Sequence, residues 1–313
     1  AGGGRKKYEA GLIQGGCMRT SIVGYGCIFL AAVCWAFLGP AGRFAMNEGL
    51  TPLEVAFWRA ALGCGLFLLH AARTRTLKLR SFTDLGAFAL FGLVSLASLF
   101  VCYQHAVLNG GAALTSVLLY TAPAWVAIFS RLVFGERLTT FTIAAIGMSL
   151  AGVACVSFSG TDAGALPTPV FPLAGVVFGL LAGLLYSTMY IFTKSYLKRY
   201  TTYTLYGFSM VFASLGLLPF VSRLPATATA WASLLFIALV CTYLGFWAYG
   251  EGLKRLAPTK AAVLCTLEPV VATAVAWWLW DERFSGLGWV GAALIIGAVL
   301  ILVISSQQDT ANA

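Results

Sequence analysis

Charge is scarce in this sequence. Asp, Glu, Lys and Arg together make up 10% of its 313 residues, where a soluble globular domain carries about 25%. There are 11 acidic residues and 2 histidines, His70 and His105, so acid–base and metal chemistry have few groups to draw on. No GxxxxGK[ST] loop is present to cradle a nucleotide, and neither HExxH nor GxSxG occurs. The eight cysteines include no CxxC pair and lie mostly inside apolar runs, where Cys packs as a small buried residue. No catalytic centre, metal or cofactor is expected, and a membrane enzyme or receptor scaffold is the weaker alternative.

Apolar residues make up 60% of the chain. They fall into ten runs near 20–42, 52–72, 84–106, 111–134, 140–159, 171–194, 203–222, 230–253, 257–280 and 285–305. Most reach the roughly 20 residues that cross a bilayer core as a helix. The expected fold is an all-α polytopic membrane protein of ten transmembrane helices. Residues 1–19 form a polar extension, of which 1–17 read as an appended segment ahead of Met18. Residues 160–170 form an extracytoplasmic linker between two five-helix units, 20–159 and 171–305, and residues 306–313 form a tail. The net charge of +9 would suggest nucleic acid in a soluble protein. Here the basic residues sit between the runs. With both termini in the cytoplasm, 16 of the 20 Lys and Arg face inside, 3 (Arg43, Arg223, Arg283) face outside, and Arg59 lies within a run, as the positive-inside rule asks. The expected location is the cytoplasmic (inner) membrane, with lipid rather than nucleic acid as the surrounding partner.

An internal repeat is also legible. Phe100–Leu138 lies on Phe246–Phe284 at a constant offset of 146, pairing Tyr103 with Tyr249, Pro123 with Pro269, and Glu136-Arg137 with Glu282-Arg283. Earlier runs correspond at 151, Trp35 with Tyr186 and Phe57 with Phe208. Five is odd, so two equivalent five-helix units in one chain face opposite ways. Inverted repeats of this kind underlie alternating access in transporters.

The segments LAAVCWAFLGPAGRF, PLEVAFWRAALG and CYQHAVLNGGAALTSVLLYTAPAWVAIFSRLVFGERL, with the second copy ending LWDERF, resemble in order and spacing the EamA-type transporters of the drug/metabolite transporter superfamily. Within that family the chain looks closest to YddG-like exporters of aromatic amino acids. The resemblance spans residues 20 to 305. It implies a secondary transporter that exports small amphipathic metabolites, chiefly aromatic and other amino acids, with protons as a candidate coupling ion. A nucleotide-sugar or sugar-phosphate carrier of the same superfamily is the rival, though its anionic cargo should need several buried basic residues. The family places an Arg where Arg59 stands, which suggests a scaffold role.

Glu268 is the foremost site candidate. A charge near the bilayer centre costs roughly 2.5–3.5 kcal/mol on insertion scales, and its repeat partner is Ala122, so the fold does not demand an acid there. It reads either as a ligand for a substrate ammonium or proton, or as a protonated acid bonded to a neighbouring helix. Pro123 and Pro269 interrupt their helices and free the carbonyls of Leu119 and Cys265, which either line a cavity or merely mark kinks. Trp35, Tyr103, Tyr120, Tyr186, Tyr190 and Tyr249 are candidate cavity walls, with packing the blander reading for each ring. Gln104, His105 and Ser116 complete the candidate pathway. Trp277, Trp278 and Trp280 read as interface anchors, Glu54 and Arg59 as side chains that snorkel or pair across helices, and Glu136-Arg137 as turn and cap chemistry.

Overall fold

The computed structural model describes residues 21–158, 173–280 and 285–311, the side chains of 280 and 306–311 excepted. The extension 1–19, the linker 160–170, Asp281, Glu282, Arg283 and the Trp280 side chain therefore lie outside the described residues.

The described chain is all helical. In order the helices are α1 Ser21–Asn47, α2 Pro52–Arg73, α3 Phe82–Leu119, α4 Ala122–Phe134, α5 Thr140–Phe158, α6 Leu173–Tyr196, α7 Thr202–Phe220, α8 Ala228–Arg255, α9 Pro258–Leu279 and α10 Gly286–Ser305. Among the described residues nine of them are long and apolar enough to cross a membrane, and α4 is a shorter apolar helix. Large apolar side chains point outward all round, Leu132 at 75% exposure and Trp278 at 76% among them, as a surface facing lipid requires.

Helix starts are chemically explicit. Thr51 Oγ1 accepts from the Glu54 N–H at 3.2 Å, Glu54 Oε2 accepts from the Thr51 N–H at 2.7 Å, and Pro52 follows. This is a capping box with proline in the first turn. Ser81, Thr201 and Thr227 cap α3, α7 and α8 through the N–H three residues on. The α3 and α8 caps, Ser81 and Thr227, stand at the 146-residue offset, and so do the starts of two π-helical segments, Phe91–Ala97 and Ile237–Leu244. The offset thus extends to helix distortions that hydropathy does not reveal.

Two expectations about the runs need correction. The third and fourth runs are joined through Gly111, whose φ of 78° and ψ of 164° no helix contains and which glycine adopts without a Cβ penalty. The contacts of α3 with α6 change sense at this residue. Phe91 stacks on Phe192, Thr188 donates to Ser95 Oγ and His105 stacks on Phe178. Beyond Gly111, Leu118 returns to Gly179 and Gly183, so the chain folds back there. Runs four and nine are also not continuous kinked helices. Both are broken just ahead of the proline, at 120–121 and at 266. Pro123 and Pro269 fall in the first turn of the following half-helix, where the missing N–H costs nothing. Thr121 Oγ1 donates to the Leu118 carbonyl at 2.7 Å and Thr266 Oγ1 to that of Val263 at 2.6 Å, which satisfies carbonyls at each broken end.

Two pairs of helices pack on one another antiparallel, α2 with α7 and α5 with α10. Between α2 and α7, Cys64 Sγ donates to the Gly207 carbonyl and Phe67 packs on Tyr206, and Glu54 meets Ser222 just past the end of α7. In α5 and α10, a Cβ at Gly152 would lie 2.8 Å from the Gly291 carbonyl oxygen, and Gly297 adjoins Met148. Missing side chains let these two backbones touch. Crosswise, α1 runs against α8, with Ile28 on Gly252 and Ala41 O accepting from Ser233 Oγ, just as α3 runs against α6.

Candidate functional site

The breaks in α3–α4 and α9 meet α1, α2 and α6 around a central cavity of about 550 Å³, within the roughly 300–1,000 Å³ of small-ligand sites. It extends from the middle of the bundle to the end carrying the Asn47–Thr51 turn, where Met46, Pro52 and Leu53 line it. Of the residues singled out in the sequence, Trp35, Tyr103, Gln104, Ser116, Tyr120, Tyr186, Glu268 and Pro269 line it. His105, Pro123, Tyr190, Tyr249 and Cys265 do not. His105 is exposed on another face and stacks on Phe178 with ring centres 5.1 Å apart. Pro123 is buried in the first turn of α4. Tyr190, Tyr249 and Cys265 lie beneath the cavity floor, nearly or fully buried.

Glu268 sits in the first turn of the second half of α9, where the unpaired N–H groups of a helix start suit an acid. It is half-buried, interacts with the Tyr120 hydroxyl, and lies within electrostatic reach of the Arg59 guanidinium. Ala122, 146 positions earlier, is buried instead in the start of α4.

Arg59 is the site residue that sequence reasoning passed over. It is 6% exposed and lines the same cavity. Its Nε donates to Thr242 Oγ1 at 3.4 Å and its guanidinium lies 4.8 Å from the centre of the Phe100 ring, a cation–π contact. Among the described residues no carboxylate forms a salt bridge with it. Arg59 and Glu54 do not bond each other, and each reaches across to another segment. Glu54 is held at the rim, where Oε1 accepts from the N–H groups of Ser222 at 2.9 Å and Arg223 at 2.7 Å, and from Ser222 Oγ at 2.9 Å. The signal for Arg59 was its place inside an apolar run, since a buried guanidinium is kept only for a partner.

Beneath the cavity the bundle is closed. Trp35 and Tyr249 ring centres lie 5.3 Å apart, Tyr190 and Tyr249 5.2 Å, and Tyr206 and Phe246 4.5 Å. Thr193 Oγ1 and the Tyr206 hydroxyl are 2.8 Å apart. Farther toward the end where the basic residues gather, Asp84 accepts from the Tyr200 hydroxyl at 2.6 Å and from Arg199 Nη2 at 3.0 Å. Lys194 Nζ donates to the carbonyls of Leu253 and Leu256, closing the end of α8. Glu136 accepts from Ser130 Oγ and Thr259 Oγ1 and so ties α4 to α9. Glu136 therefore bonds at its turn and also reaches the first turn of α9.

Apolar helices surrounding a hollow that is open toward one end and sealed toward the other define a polytopic membrane transporter. A model of the EamA-like transporter family matches residues 22–158 and again 173–304, and the chain belongs to that family. An uncharacterized transporter of Archaeoglobus fulgidus is 27% identical over 286 residues, covering 91% of this chain and 97% of its own. A probable terminal-alkyne amino-acid exporter of Streptantibioticus cattleyicolor is 26% identical over 286 residues, covering 88% and 91%. The uncharacterized inner membrane transporter YicL of Salmonella typhimurium is 23% identical over 291 residues, covering 90% and 95%. A crystal structure aligns at a TM-score of 0.78 and 19% identity over 93% of this chain and 98% of its own, and shares the fold. The protein is accordingly a multi-pass protein of the inner membrane.

Proposed function

We propose that this protein is a secondary transporter that exports small amphipathic metabolites, chiefly aromatic and other amino acids, by alternating access. The observation that carries the reading is an asymmetry between equivalent residues. Tyr103 lines the cavity, whereas its partner Tyr249 is fully buried in the seal. Ser116 lines the cavity, and Ala262 at the same offset is buried. One half of a repeat is open where the other is packed, and exchanging the two arrangements would move the opening to the opposite end.

The topology behind this reading has ten crossings, two inverted five-helix units at 20–159 and 171–305, and both ends in the cytoplasm. It is supported by the fold-back at Gly111 and by the antiparallel pairing of α2 with α7 and α5 with α10, which only a twofold axis lying across the helices relates. The gathering of Arg73, Arg75, Lys78, Arg80, Lys198 and Arg199 beside the sealed end agrees with a cytoplasmic assignment for that end. The cargo class is supported by a cavity that mixes aromatic walls with tyrosine hydroxyls, glutamate and arginine, and by the relative named an amino-acid exporter. The test is counterflow in proteoliposomes of the purified chain. Labelled phenylalanine should accumulate against an unlabelled internal pool. Absence of counterflow for every amino acid tried would refute the reading.

A further inference from the structure

Resting on the reading of the cavity as an amino-acid pathway, we infer that Arg59 and Glu268 together form a head-group site for a zwitterion, Arg59 receiving the α-carboxylate and Glu268 the α-ammonium, while the apolar wall takes a neutral side chain. Three observations carry this.

First, the two charges come from helices far apart in sequence, α2 and α9, yet line one cavity within electrostatic reach of each other. Among the described residues neither forms a salt bridge elsewhere: Arg59 has a long hydrogen bond to Thr242 and the face of Phe100, and Glu268 has the Tyr120 hydroxyl. A planar guanidinium presents a fork that matches a carboxylate bidentately. Glu268, as an acceptor, matches a substrate N–H donor.

Second, hydroxyls from Tyr103, Tyr120 and Tyr186 line the cavity within electrostatic reach of Glu268. They can orient a head group without adding net charge. A single Arg and a single Glu balance a cargo that is itself neutral overall. A phosphorylated cargo would leave Glu268 facing anionic oxygens.

Third, most of the remaining wall is apolar and uncharged, with Trp35, Leu99, Phe100, Met189 and Phe246 on it beside the neutral Gln104 and Ser116. Such a surface accepts an aromatic or aliphatic side chain and leaves a charged one without a partner.

The prediction concerns the head group and is testable on the unmodified protein. In proteoliposomes, phenylalanine counterflow is challenged with unlabelled phenylalanine, with phenethylamine, which lacks the carboxylate, and with 3-phenylpropionate, which lacks the ammonium. A site that pairs both ends should be at least about tenfold weaker for each truncated analogue, because each leaves a buried charge unpaired. In Arg59→Gln the preference for phenylalanine over phenethylamine should shrink, and in Glu268→Gln the preference over 3-phenylpropionate should shrink. A change in ratio separates recognition from mere loss of fold. Competition by both analogues within about twofold of phenylalanine would overturn the inference and leave the transport reading standing. Absence of counterflow for any amino acid would overturn the underlying reading as well.

Discussion

Gly183, on α6, faces the broken segment that carries Tyr120. A Cβ there would lie 2.5 Å from the Leu118 carbonyl oxygen and 2.7 Å from Thr121 Oγ1, where ordinary contact begins near 3.4 Å. The obstacles are a backbone oxygen and a hydroxyl already bonded to that same oxygen, so neither can rotate away. Gly183→Ala therefore forces α6 and the break apart by about 1 Å, and overpacking of this kind costs about 1–3 kcal/mol. Tyr120 moves with the break, so its contact with Glu268 is disturbed too. Gly147 supplies the control, because it is exposed on α5 and nothing lies within 4 Å of an added Cβ. Gly147→Ala should stay within about 0.5 kcal/mol of the parent. The assay is equilibrium unfolding in mixed detergent micelles followed by circular dichroism, with phenylalanine counterflow on the same preparations. Gly183→Ala should be less stable and transport less well. Equal stability and flux for the two variants would refute the close approach of α6 to the break.

At the sealed end, Asp84→Asn removes the carboxylate that holds Tyr200 and Arg199, and Tyr200→Phe removes the hydroxyl that also accepts from the Arg80 N–H at 2.9 Å. Both should raise the reactivity of a cysteine engineered into the cavity wall at Ala113 toward a thiol reagent supplied from the basic end, and unchanged reactivity would deny these contacts a role in closure. At the opposite rim, Glu54→Gln turns an amide donor toward one of several N–H groups now bonded to the carboxylate. A buried donor left unsatisfied costs about 1–3 kcal/mol, read as a lower unfolding midpoint, and an unshifted midpoint would contradict the clamp. Trp277 and Trp278 are 56% and 76% exposed on the outer surface of α9, so replacing both with Ala should leave the phenylalanine counterflow rate within about twofold if they only anchor at the interface.

Much of the architecture was legible because the solvent is lipid. Runs of about 20 apolar residues can do little else than cross as helices, and the 146-residue offset carries through to paired caps and paired π-helical segments. The breaks were harder to foresee. Pro123 and Pro269 read as interior kinks, because the sequence does not say that Thr121 and Thr266 bond back to the preceding turn and end the helix there. Gly110-Gly111 read as a run boundary, and its role as a fold-back depends on a φ of 78° that only the folded chain fixes. Within the site, Glu268 was conspicuous because its repeat partner is alanine. Arg59 was not, because a lone arginine in a run is equally consistent with snorkelling until the rotation of α2 is known. Tyr103 and Tyr249 are indistinguishable in sequence and part company in the structure, where one lines the cavity and the other is buried beneath it.

Reactivity of a single cysteine in the hollow tests the account most directly. Ala113→Cys, on a background with the native cysteines replaced, places a thiol on the cavity wall. In oriented vesicles a membrane-impermeant thiol reagent should reach it from the face opposite the basic end in the conformation described here. When substrate drives the exchange of the two halves, the thiol should become reachable from the basic face and protected from the other. Reactivity confined to one face under every substrate condition would contradict alternating access.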